Sequence, residues 1–214
     1  MAYFVEILVS LLSGLKITLI IFVFTLTFSI PLGLLGAILK RSSFVPLVKI
    51  LDAYTWVIRG TPLLLQLYFT VFGLPMLLGF KVDRMSMATL TFIINYTAYF
   101  IEIFRGGMNS IFKGQFEAYQ VLGLSRPQGF LYIIIPQTLK KVLPTITNEA
   151  ITLVKDTALV ASVAIFDILK ITQRIVSADI RFEAYVVAAF LYLGLSYGIV
   201  LIFRRIEKKY SFYH

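Results

Sequence analysis

The chain has 214 residues, 59% hydrophobic and only 14% charged, with a mean hydropathy of +0.88 and a net charge of +9. Soluble domains carry roughly a quarter charged residues, so the composition argues against a soluble protein and for an all-α polytopic membrane protein. There is no cysteine for a disulfide, redox or thiolate-metal site, and the single histidine, His214, leaves little for histidine-dependent catalysis.

The first apolar block runs from Ile17 to Leu39, 23 residues without a charge, where about 20 suffice to cross the hydrocarbon core as a helix. Pro31 and Gly33 are candidates for a kink. Gly14, Gly33 and Gly36 suit close helix contacts, or simply a permissive backbone. The N-terminus has Glu6 and no basic region, so a cleavable signal peptide is not expected. Lys40, Arg41 and Lys49 mark a short basic loop, and the next apolar run is Thr61 to Phe80. Pro62 disfavours a helical Thr61, which predicts a break or a new helix start at Arg59-Gly60-Thr61-Pro62. Two readings of that stretch stand: a packing corner near a translocation path, or a helix start with a snorkelling arginine.

The third span is Met85 to Ile101, ending in Glu102, Arg105 and Gly106-Gly107. On a helix Thr91, Asn95, Tyr99 and Glu102 share one face, and a polar stripe in a membrane turns towards protein or water. Glu102 and Arg105, three residues apart, are also placed to pair with each other. A mixed-polarity loop of about 109–136 follows, with a short surface helix expected over Gln115 to Leu122 and Gly123 near its end.

The fourth span is expected over Phe130 to Ile135 and Val142 to Phe166. Glu149, Lys155 and Asp156 interrupt its apolar sequence, and Thr145, Glu149, Thr152 and Asp156 make one helical face. Glu149 and Asp156 then lie about 10 Å apart along the axis, too far to converge on one water as an acid pair. Charges at bilayer depth cost several kcal/mol unless they meet a partner or a wet cavity. Glu149 and Asp156, helped by Asn95, Thr152 and Tyr99, are therefore the candidate substrate-binding residues, suited to a cationic ligand. Asp156 equally suits a structural bond to a neighbouring helix. Asp167 to Arg181 reads as an amphipathic surface segment, and Ala184 to Phe203 is the last span, closed by Arg204, Arg205, Lys208 and Lys209.

Five spans result, and the positive-inside rule orients them. The loops around Lys40–Lys49 and Arg105–Lys141, with the tail, hold 12 of the 20 lysines and arginines; the other side holds Lys81, Arg84, Lys170, Arg174 and Arg181. The N-terminus is thus expected outside and the C-terminus in the cytoplasm. No phosphate loop, H-E-x-x-H or Cys/His cluster occurs, so ATP binding by that route and zinc chemistry are not expected.

Glu117-Ala118-Tyr119, then Gly123 after three intervening residues, then Ile133 and Pro136, resembles the cytoplasmic EAA loop of ABC importer permeases. Tyr119 replaces an alanine of that pattern and Ile135 a leucine. With Arg59-Gly60-Thr61-Pro62, Glu102-Ile103-Phe104-Arg105-Gly106-Gly107, Gly114-Gln115 and Lys155-Asp156-Thr157, the chain resembles permeases for polar amino acids: the histidine, glutamate, glutamine, arginine and opine group. That resemblance implies a single type I permease domain over 1–214 with a coupling helix. Gln115, Glu117, Ala118 and Gly123 would dock on a separate ATPase. It also implies two ATPase subunits carrying ATP and Mg, no cofactor or metal in this chain, a second permease copy or paralogue, and an extracytoplasmic binding protein in the inner membrane system. The function implied is an ATP-driven importer subunit for basic or polar amino acids, not an enzyme and not a nucleic-acid binder. The alternative is an ion-gradient-driven secondary amino acid transporter, for which an inverted repeat is expected and none is found.

Overall fold

A helix apolar on every side suits a membrane, where lipid meets whatever protein does not cover. The first helix, α1 (Ala2–Leu39), has this character and begins well before the expected span, because Glu6 and Lys16 interrupt the apolar run only singly. Pro31 lies inside it without ending it. The computed structural model describes residues 2–79, 81–180 and 182–210. Phe80, the expected end of the second span, Arg181 of the outer-side cations, and His214 lie outside the described residues.

After α1 come α2 (Val45–Gly60), α3 (Leu63–Leu78), α4 (Arg84–Asn109) and α5 (Lys113–Val121). Then follow α6 (126–156), a 3-10 stretch (Thr157–Val163), α7 (Ile168–Asp179) and α8 (Glu183–Tyr210), with no strand among the described residues. The break expected at Thr61-Pro62 is a sharp corner: α2 and α3 meet at 103°, with Thr61 and Pro62 both extended. Both α3 and α6 contain a widened π turn, Phe69–Gly73 and Phe130–Ile134, each ending two residues before a proline, Pro75 and Pro136. Proline donates no N–H and crowds the carbonyl four residues back, and a widened turn accommodates both effects without ending the helix.

Three helices are long and apolar enough to cross a membrane, α1, α4 and α8, and the bent α2–α3 pair makes a fourth if taken as one span. The expected fourth span, α6, is long enough but too polar to qualify, and it ends at Asp156 instead of running to Phe166. Its apolar side, Val142, Ile146, Ala150, Leu153 and Val154, is buried in protein. Its polar side needs somewhere other than lipid to face.

The core forms where α4 lies against α1 and α6. Phe92, Phe100 and Phe104 of α4 are fully buried with Ile21 and Ala37 of α1 and Ile134 of α6. Small residues set the spacing. A Cβ added to Gly33 would meet the Phe100 Cβ at 2.3 Å, and one on Gly107 would meet Val142 at 2.2 Å. Gly14 presses on the backbone of Asp167 and Ile168, and the amphipathic α7 packs Ile168, Ile171 and Ile175 in one cluster with Ile7 and Leu11 of α1. Asp167 is fully buried there and caps α7, accepting from the Lys170 N–H at 2.8 Å.

One ammonium ties the C-terminal end of α1 to the middle of α2 and the C-terminal part of α4. Lys40, read from sequence as a loop charge, has a nearly buried side chain. Its Nζ lies 2.6 Å from Glu102 and 2.7 Å from Asp52, and it donates to Thr55 at 2.9 Å, using all three of its donors. The other Glu102 oxygen accepts from Arg105 at 2.6 and 2.8 Å, the pairing expected at that spacing.

Candidate functional site

The corner between α2 and α3, the middle of α4 and the C-terminal half of α6 enclose a cavity of about 390 Å³. Asn95 and Tyr99 reach it from α4, and Glu149, Thr152 and Asp156 from α6. All five candidate substrate residues thus line one space, together with Tyr96 and with Arg59, Gly60, Thr61, Pro62 and Leu63 of the corner. The α4 stripe divides along its length. Thr91 bonds its hydroxyl to Thr70, Asn95 and Tyr99 line the cavity, and Glu102 belongs to the Lys40 cluster.

The five side chains are not equally available. The Asn95 amide donates to Gln66 Oε1 at 2.9 Å, and the Gln66 amide nitrogen donates to Thr61 Oγ1 and the Ile58 carbonyl, both at 2.8 Å. Gln66 therefore pins the corner to α4. Asp156 accepts from the Tyr96 hydroxyl at 2.8 Å, a bond to a neighbouring helix. Thr152 donates back to the Asn148 carbonyl at 3.1 Å. Glu149 has no hydrogen bond or ion pair among the described residues and is half-buried at the cavity wall. It is the open carboxylate of the site. Lys155, next to Asp156 in sequence, is exposed and forms no ion pair with it.

Sequence reasoning did not find Gln66 or Tyr96. Gln66 is the lone amide in the apolar run after Pro62, and that isolation was a usable signal. Tyr96 carried none, since a tyrosine in a membrane helix is unremarkable until its partner is known.

After α4, the short helix α5 spans Lys113–Val121, near the expected 115–122. Gly123 closes it with φ +71°, a left-handed position that favours glycine. Glu117 and Ala118 are exposed, as are Val121 and Leu122. Tyr119, which stands where the resembling pattern has alanine, turns the other way. It is buried, and its ring covers Gly129, where an added Cβ would meet it at 2.4 Å. Phe116 packs edge-on to Phe130 and lies under the Arg41 guanidinium at 5.1 Å. Gln115 accepts from Gln137 of α6 at 3.1 Å. The helix is thus seated on α6 by its aromatic side and leaves its other side bare.

A bundle of membrane helices with a polar cavity at a broken helix and a short helix seated at one end is the architecture of an ABC importer permease. The chain belongs to the family of binding-protein-dependent transport system inner membrane components, which matches residues 29–212. It is 38% identical over 200 residues to the arginine transport system permease protein ArtQ of Bacillus subtilis (strain 168), covering 93% of this chain and 91% of that one. It is 34% identical over 201 residues to the glutamine transport system permease protein GlnP of Escherichia coli (strain K12), covering 93% and 92%. Among solved structures, an amino acid ABC transporter crystallised with histidines superposes with a TM-score of 0.87 at 32% identity, over 96% of each chain. The inward-facing MetNI methionine ABC transporter superposes at 0.76 and 18% identity, covering 94% and 96%, which shows the shared fold. The chain is therefore a transport permease of the inner membrane, and the ion-gradient-driven alternative is set aside.

Proposed function

We propose that this chain forms, over 1–214, one permease unit of an ATP-driven importer that moves amino acids and favours basic ones: arginine, lysine and histidine. The observation that carries the substrate class is Glu149, an unpaired carboxylate in a cavity beside a second carboxylate, Asp156. A cationic group there gains charge-assisted bonds where water is scarce. The 38% identity to a protein named as an arginine permease supports the same choice. Glu149, Asp156, Asn95, Thr152 and Tyr99 are the substrate-binding residues of this reading, with Asp156 and Asn95 partly committed to their neighbours.

The partners are a second permease copy or paralogue, two ATPase subunits that carry ATP and Mg, and an extracytoplasmic binding protein. The N-terminus is outside and the C-terminus cytoplasmic, which puts α5 on the ATP side. The bare side of α5, with Glu117 and Ala118, docks on the ATPase, while Gln115 and Gly123 hold the helix at its angle. Closing of the ATPase pair moves α5 as a rigid body, and its seat on α6 passes that movement to the helix carrying Glu149.

Thermal unfolding of the purified permease–ATPase complex tests the substrate reading. A ligand at 100 times its Kd stabilises the folded state by about 2.7 kcal/mol, so arginine, lysine or histidine is expected to raise the Tm while leucine does not. No rise with any of them, or equal rises with all four, overturns it. For the docking reading, Glu117→Lys is expected to lose co-purification with the ATPase while the permease keeps its own Tm, because Glu117 is exposed. Unchanged co-purification and substrate-stimulated ATP hydrolysis overturn that assignment.

A further inference from the structure

We infer that Arg59 is the anion-reading residue of the cavity, taking the α-carboxylate of the amino acid whose cationic end lies at Glu149; this rests on the amino acid reading just proposed. Arg59 stands in the last turn of α2, directly before the corner, about 21 Å along the axis from Val45 at 1.5 Å per residue. A guanidinium so far from the helix start needs a counter-charge, water or an aromatic face. It has the last: its guanidinium carbon lies 5.3 Å over the Tyr99 ring, and both residues line the cavity. Stacking on a ring holds a guanidinium without consuming its five N–H donors.

The carboxylates of the neighbouring cavity are engaged elsewhere, and Glu149, which shares the cavity with Arg59, lies beyond ion-pair distance of it. Arg59 also borders the neighbouring cavity of Lys40, Asp52, Glu102 and Arg105. There both Glu102 oxygens are taken, one by Lys40 and one by Arg105, and Asp52 is held by Lys40 at 2.7 Å. Arg59 forms no ion pair among the described residues. The cavity thus presents one guanidinium and one carboxylate, Glu149, that have neither a hydrogen bond nor an ion pair among the described residues, beside Asp156, which is bonded to Tyr96; this is the complement of an amino acid with a carboxylate and a distal cation. The planar fork of arginine suits a carboxylate in two parallel bonds. The corner stays open beside it, since nothing lies within 4 Å of a Cβ added to Gly60.

The test compares binding of arginine with two probes that lack the carboxylate charge, agmatine and arginine methyl ester, on the assembled permease–ATPase complex. The wild type is expected to bind arginine at least about tenfold more tightly than either probe, a margin of about 1.4 kcal/mol. Arg59→Gln is expected to lower arginine affinity to that of agmatine, and Arg59→Lys to recover part of the difference. The methyl ester comparison needs no variant, so a folding defect leaves the inference open to refutation. Equal binding of arginine and its ester by the wild type overturns it. So does an unchanged arginine-to-agmatine ratio in Arg59→Gln, or a rise in affinity for both, which would make Arg59 a plain counter-charge to Glu149. Failure of the wild type to bind arginine, lysine or histidine at all would instead remove the amino acid reading on which the inference stands.

Discussion

Glu149→Gln is expected to lower uptake of arginine and lysine by about tenfold or more, and to leave a neutral amino acid within about twofold. The substitution keeps size and hydrogen-bonding shape and removes only the charge. A hydrogen bond to a charged group is worth about 1.5–3 kcal/mol, and 1.4 kcal/mol corresponds to a factor of ten. Glu149 is the residue where that full difference should appear, because no protein group shares its carboxylate among the described residues. The matching change Asp156→Asn should be less selective between substrates, since Asp156 already accepts from Tyr96 and its loss disturbs the α4–α6 contact as well. Uptake by proteoliposomes holding the full complex checks both. Equal losses for basic and neutral substrates in Glu149→Gln would assign the residue to structure instead of recognition.

The second large effect concerns assembly of the bundle. Gly33→Val is expected to destabilise the permease by about 3 kcal/mol or more, the upper range for overpacking a tight site. The nearest atoms to a Cβ there are the Phe100 Cβ at 2.3 Å and its carbonyl carbon at 3.0 Å. Neither belongs to the free end of a flexible side chain, and Phe100 is itself fully buried. Relief therefore requires α1 and α4 to separate, along the seam that also orients Asn95 and Tyr99. Gly194→Ala is the matched control, since nothing lies within 4 Å of its added Cβ. Thermal unfolding in detergent should show a clear fall in Tm for Gly33→Val and none for Gly194→Ala. Equal Tm values would mean that the α1–α4 seam is more yielding than its geometry implies.

Local spacing on one helix was readable without any structure. Thr145, Glu149, Thr152 and Asp156 share a face because 3.6 residues make a turn, whatever surrounds them. Asn95 and Tyr99 were placed by the same rule. The corner at Thr61-Pro62 was legible because proline restricts its predecessor, but its 103° angle was not. The short helix before Gly123 was legible from punctuation. That Tyr119 faces inward, over Gly129, was not, because it depends on a partner ten residues on, across a turn.

The sequence by itself therefore determined a membrane protein, the polar faces of its helices and the short helix before Gly123, since hydropathy, helical period and turn chemistry act over a few residues. Tertiary structure alone decided which polar groups are spoken for. Lys40 closes on Glu102 across 62 positions, Tyr96 on Asp156 across 60, and Gln66 on Asn95 across 29. Each pair is a meeting of two helices whose rotation and height are set by glycine contacts and buried aromatics. Only after those pairings are drawn do Glu149 and Arg59 stand out as the two charges at the cavity with neither a hydrogen bond nor an ion pair among the described residues, Asp156 being bonded to Tyr96.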